Sequence, residues 1–145
     1  MELDFNKIIR LRRIRKEQTE LCKEENRLTT PLLTDRGMIG DIYKIFVDVL
    51  GERDCPPQPD SVIQRKKFIF IILYLYSPSA LAGRKMLGGL REDLSKVLGI
   101  QAQTTISDNC ADVVFLYQNY SDFCRDVECL YAEIVNRLRD RGVVG

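Results

Sequence analysis

The chain has 145 residues, 45% hydrophobic and 30% charged, with 22 Lys and Arg against 21 Asp and Glu for a net charge of +1. That length and mix suit a globular domain able to bury a core without disulfides or a metal. Histidine is absent, which excludes imidazole general acid–base catalysis, Ser-His and Cys-His nucleophile pairs and imidazole zinc sites. The carboxylates are spread along helical faces, so the expectation is a non-enzyme: no catalytic residue, no metal, no cofactor and no small-molecule substrate.

The opening "MELDFNKIIRLRRIRK" places acids before its first base and has no apolar h-region, so no secretory leader is expected and a cytoplasmic location is. Residues 4–27 are predicted to form a helix. Six cations and no acid fall between residues 7 and 16, whereas Glu17, Glu20, Glu24 and Glu25 fall in its second half. The helix dipole prefers the reverse order, so stability of the isolated helix did not select it. Leu11, Ile14, Leu21 and Leu28 approximate a heptad seam interrupted by Gln18 and Glu25. Antiparallel pairing of two copies through residues 4–28 would set each basic half against an acidic half. A nucleic-acid arm or a membrane-surface helix would also use the basic half, and a loosely packed solvated helix is the plain alternative.

Breaks at "TTP" (29–31), "CPPQP" (55–59), "SPS" (77–79), "GG" (88–89) and Gly99 separate further helices, predicted over 36–50, 61–76, 90–98, 104–119 and 122–140. The run "FIFIILYLY" from Phe68 to Tyr76 has strand-forming residues, but no second such run exists to pair with it. It is therefore predicted to be a central core helix, capped by Asp60 or Ser61. At nine residues it is too short to cross a bilayer, and no membrane partner is expected. The last helix is amphipathic, with Phe123, Val127, Leu130, Tyr131, Ile134 and Leu138 inward and Asp122 or Ser121 as its cap. Five cysteines form no CxxC pair and are expected to be buried or half-buried thiols. The fold class is all-α: a compact multi-helix domain over 35–145 that contains a helix-turn-helix, preceded by a helical extension over 1–34.

The helix-turn-helix is read from "LREDLSKVLGIQAQTTISDN". Leu90, Leu94, Val97 and Leu98 face inward, Ser95 is small where a second helix must approach, and Gly99 marks a reversal that needs positive φ. Thr104 or Thr105 caps the next helix, whose inner face is Ile106, Cys110, Val113 and Tyr117. Its outer face begins with Thr105, Asp108, Asn109 and Asp112, small polar groups suited to base edges. Two aspartates also face outward, and no arginine is there to read guanine. A second acid-free stretch, 61–91, carries Arg65, Lys66, Lys67, Arg84, Lys85 and Arg91.

The line "LSKVLGIQAQTTI" resembles the signature of the C-terminal DNA-binding domain of the bacterial replication initiator DnaA, a Trp-repressor-like fold. Leu98 and Gly99 match its apolar-Gly pair, Thr104 and Thr105 its two threonines, and Ile106 its valine. "MIGDIYKIFVDVL" is similar to that domain's first helix, and "RKKFIFIILYLYS" is placed like its long helix, with Lys66 at the basic position. The resemblance covers roughly 37–140. Ile100, Gln101, Ala102 and Gln103 stand where the family has Gly, Arg, Asp and His, and "PSALAGRKMLGG" is longer than its loop. No P-loop motif occurs, so the resemblance implies the DNA-binding fold and not an ATP-driven initiator.

Two readings of function follow. In the first, this is a regulatory or mobile-element-associated protein that binds double-stranded DNA. Thr104, Thr105 and Asn109 would lie at the major groove, Gln101 and Gln103 at the turn, and Lys66, Lys67, Arg84, Lys85 and Arg91 on phosphates. In the second, it is a helical protein-interaction or self-association module without nucleic-acid binding. The first requires that 65–67, 84–85 and the 101–105 turn share one side of the molecule.

Overall fold

The computed structural model describes residues 4–101 and 103–144, the side chains of Gln103 and Thr104 excepted. Every regular element among these residues is helical: α1 Asn6–Leu28, a 3₁₀ turn Arg36–Met38, α2 Ile39–Gly51, α3 Val62–Tyr76, α4 Pro78–Leu81, α5 Leu90–Leu98, α6 Gln103–Asn119 and α7 Ser121–Asp140. The chain divides into two units, Met1–Thr30 and Pro31–Gly145. No helix among the described residues is long and apolar enough to cross a membrane.

The first unit is α1, 23 residues and about 35 Å long at 1.5 Å per residue. Its Lys, Arg, Glu and Gln residues are good helix formers. Thr29 and Thr30 stop it by turning their hydroxyls back onto the carbonyls of Glu25 and Asn26, at 2.8 and 2.9 Å. None of its residues is buried.

In the second unit α3 is the central helix. Phe68, Ile69, Ile71, Ile72, Leu73 and Leu75 are completely excluded from solvent, each contributing about 1.5–3 kcal/mol by burial. Ser61 caps its start, accepting from the Gln64 N–H at 3.4 Å. Helix α2 supplies Ile39, Ile42, Ile45, Phe46 and Leu50, and α7 supplies Phe123, Val127, Leu130, Ile134 and Leu138, each set recurring at the three- and four-residue spacing of one helical face. Phe46, Tyr43 and Phe68 form an aromatic knot between α2 and α3, the Tyr43 and Phe68 rings meeting edge-on at 5.0 Å. Helices α5 and α6 close the domain, α6 lying against α3, α5 and α7.

Long-range polar ties fix the segment before α2. The Leu33 N–H donates to the Leu75 carbonyl at 3.0 Å, and the Tyr76 hydroxyl to the Asp35 carbonyl at 2.6 Å. Burial, with Asp35 and Asp93 nearby, pushes the Tyr76 phenol up to about 12. Arg36 reaches the Gly88 carbonyl at 3.0 Å and Asp93 at 3.2 Å.

Several sequence expectations are corrected. The helix expected from residue 36 starts as a 3₁₀ turn, because the Asp35 carboxylate captures the Gly37 N–H and tightens the first residues. Helix α7 starts at Ser121 from an extended Tyr120, with no side-chain cap, so Asp122 lies inside the first turn. There its charge complements the helix N-terminus instead. Pro78 nucleates the extra short helix α4 within what read as a loop. Cys22, Cys55 and Cys129 are exposed rather than buried; all five thiols are free.

Candidate nucleic-acid interface

The α5–α6 corner is built by its turn. Gly99 adopts φ +69, where a β-carbon would strain the backbone. The Ile100 N–H donates to the Ser95 carbonyl at 2.9 Å and the Gly99 N–H to that of Lys96 at 3.4 Å. These two bonds form a Schellman motif, which satisfies the end of α5 and redirects the chain. Leu90, Leu94 and Ser95 are buried beneath it, and α6 packs Ile106 and Val113 into the same core. Buried Ser95 lets α5 and α6 approach, although its Oγ has no hydrogen-bond partner.

Helix α6 begins at Gln103, one residue before Thr104 and two before Thr105, so both threonines belong to its first turn instead of capping it. Gln101 and Thr105 are exposed and Asn109 is half-buried. Asp108 and Asp112 are exposed on the outer face. The expectations for Gln103 and Thr104 fall on side chains outside the described set.

The basic residues divide. Lys66 reaches α6, its Nζ 3.5 Å from Asp112 Oδ2. Arg91, exposed on α5, lies close enough to Cys110 for its charge to oppose the burial that pushes that thiol up to about 11. Lys66 and Arg91 therefore both approach the middle of α6, from two neighbouring helices. Lys67 does not join them. About 100° further round α3, it is 9% exposed and donates to Asp126 Oδ2 at 2.6 Å on α7. The phosphate-contact expectation for Lys67 is thereby corrected: its charge is used inside the fold.

Arg84 and Lys85 are exposed. The Arg84 N–H donates to the Ser79 carbonyl at 3.0 Å, holding this pair beside α4, at the C-terminal end of α3. The two ends of α3 in question, Lys66 and Ser77, are about 16 Å apart along the axis at 1.5 Å per residue. The expected cations thus form a spread flank and not one cluster.

Asp126 also binds Arg53, whose Nη1 donates to Oδ2 at 3.3 Å. Burial alone would raise this carboxyl, but the hydrogen bonds from Arg53 and Lys67 outweigh it and hold Asp126 below its ordinary range. Sequence reading missed this centre, since its members are 59 and 73 residues apart and share no motif. Lys96, exposed in the last turn of α5 beside the Schellman turn, is a further cation at the corner that it passed over. No group of three or more His, Cys, Asp or Glu side chains able to hold a metal occurs among the described residues.

Compared with protein-family models, curated proteins and solved structures, the chain matches none.

Proposed function

We propose that this protein binds double-stranded DNA through the α5–α6 helix-turn-helix, with the N-terminal half of α6 at the major groove. The observation that carries the reading is the Schellman turn at Gly99, which ends α5 and leaves Gln101 and Thr105 exposed at the entry to α6. Arg91 would take a phosphate, as would Lys66 when released from Asp112, with Arg84 and Lys85 farther along the duplex. The resemblance of "LSKVLGIQAQTTI" to the DnaA C-terminal domain supports the same reading. Most of the affinity would come from phosphates, and Thr105, Asn109 and the threonine before them would give modest base preference. Such a protein would be regulatory or associated with a mobile element, acting in the cytoplasm.

The test is fluorescence anisotropy on a labelled duplex across a salt series. Lys66→Ala with Arg91→Ala should weaken binding and reduce the salt slope by about 0.9, the one contact of Arg91, because Asp112 holds Lys66 in the native protein. An unchanged slope would remove these residues from the interface.

A second reading is supported by α1. Helical stability in proteins comes mostly from packing an apolar face, yet α1 buries no residue and leaves Leu11, Ile14, Leu21 and Leu28 exposed. Antiparallel pairing with a second copy would cover that seam and oppose basic and acidic halves. Equilibrium sedimentation should give twice the chain mass for the full protein and the single mass for a chain lacking residues 1–30. Equal association states would sink it.

A further inference from the structure

We propose that the cleft between α3, α4, α6 and α7 is a binding site for a small organic cation with an apolar, ring-bearing body. Its volume is about 440 Å³, within the range of small-molecule sites. Four rings dominate the walls: Phe70 and Tyr74 from α3, Tyr117 from α6 and Tyr131 from α7, with Leu81 of α4 at one side. Phe70 and Tyr117 stack at 4.8 Å with an interplanar angle of 17°. Tyr74 and Tyr131 meet edge-on at 5.0 Å and 78°. Two ring pairs held in this way present fixed π-surfaces rather than mobile side chains.

Tyr74 is 48% exposed on a helix whose neighbouring side chains are almost all buried. A ring left half in water at a cleft mouth retains apolar area that an occupant can cover.

Charge selects the occupant. Glu128 is the one charged residue among those lining the cleft. Its Oε1 accepts from the Tyr117 hydroxyl at 2.8 Å and from Cys124 Sγ at 3.4 Å. These bonds orient the carboxylate and leave Oε2 without a protein donor among the described residues. The hydrogen bond to Glu128 also raises the Tyr117 phenol, so that it stays a donor. A carboxylate of fixed orientation beside aromatic faces attracts a cation twice, by direct charge and through the ring quadrupoles. An anion of the same shape meets repulsion, and a neutral one gains only the apolar contact.

Nothing in this site rests on DNA binding. Full-length protein would be titrated with 4-phenylbutylamine, 4-phenylbutanol and 4-phenylbutyrate, followed by two-dimensional NMR. The amine should shift resonances of Phe70, Tyr74, Tyr117 and Tyr131 and bind at least about tenfold tighter than the alcohol, with the carboxylate weakest. Glu128→Gln, at an exposed position, should bring the amine down to the affinity of the alcohol. Leu81→Trp should fill the cleft and abolish both. Equal affinities for amine and alcohol in the native protein would overturn the proposal. So would shifts centred elsewhere, or the absence of saturable binding.

Discussion

Lys67 of α3 and Asp126 of α7, 59 residues apart, meet at 2.6 Å in a half-buried pair, with Arg53 closing the other side of the carboxylate. This triad ties α7 to α3 and to the segment after α2, where the Arg137–Glu52 ion pair adds a second polar tie to α7. Lys67→Met keeps the apolar stem and removes the ammonium, leaving Asp126 with Arg53 alone. Loss of one hydrogen bond to a charged group costs about 1.5–3 kcal/mol. Urea unfolding of the variant should show a destabilisation of that size with unchanged m-value, and DNA affinity per folded molecule should not change. A Lys67→Met protein as stable as the native one would mean that the half-buried ion pair contributes no net stability.

The same triad makes stability depend on pH with a definite sign. The folded pKa of Asp126 is lowered relative to an unfolded value of about 3.9. Its contribution is complete above the unfolded value and is lost as pH falls through the folded one. Asp126→Asn should therefore be less stable than the native chain at neutral pH, and the gap should narrow as acid is added below about pH 4. Denaturant unfolding at neutral pH and in the acid range compares the two. A gap that is constant with pH would remove Asp126 from the acid response.

Gly99 gives a third prediction, separable from side-chain packing because open space surrounds the position where its β-carbon would be. Ala there must still adopt φ +69, at a cost of about 1–2 kcal/mol. Asn, which tolerates left-handed backbone, should cost less. Thermal unfolding should rank Gly above Asn above Ala. If Ala equals Gly, the turn relaxes to another conformation and the Schellman geometry is not required for folding.

The helices were legible in the sequence because their apolar residues recur with helical period and their ends carry local signals. Ser61 as a cap and Gly99 as a left-handed residue are both decided within a few residues. What was not legible is where neighbours on a helix point once it packs. Lys66 and Lys67 are adjacent and chemically alike, yet one faces α6 and the other is drawn inward by a carboxylate on α7. The aromatic cleft was hidden for a related reason. Tyr74 sits in an unbroken apolar run with no periodic contrast, so nothing local distinguishes it from the buried residues beside it. Only the meeting of α3, α6 and α7 leaves it at an opening. The proposed DNA face uses residues legible in the sequence, but the sequence did not show that Asp112 would stand against Lys66.

That last pair supplies the sharpest test of the DNA reading. Asp112 lies on the outer face of α6 and neutralises Lys66 at 3.5 Å, so in the proposed complex it both repels phosphates and occupies a cation meant for them. Asp112→Asn removes the repulsion and frees Lys66 while keeping the side-chain shape. Because the carboxylate is largely exposed, the fold should be unaffected. Duplex affinity should rise about three- to tenfold at low salt, and the salt slope should steepen by about 0.9, one additional phosphate contact. In the Lys66→Ala background the steeper slope should vanish, because no freed cation remains, while part of the affinity gain from lost repulsion should persist. A native-like affinity for Asp112→Asn would mean that this face of α6 does not approach the duplex, and the helix-turn-helix would then be a structural corner only.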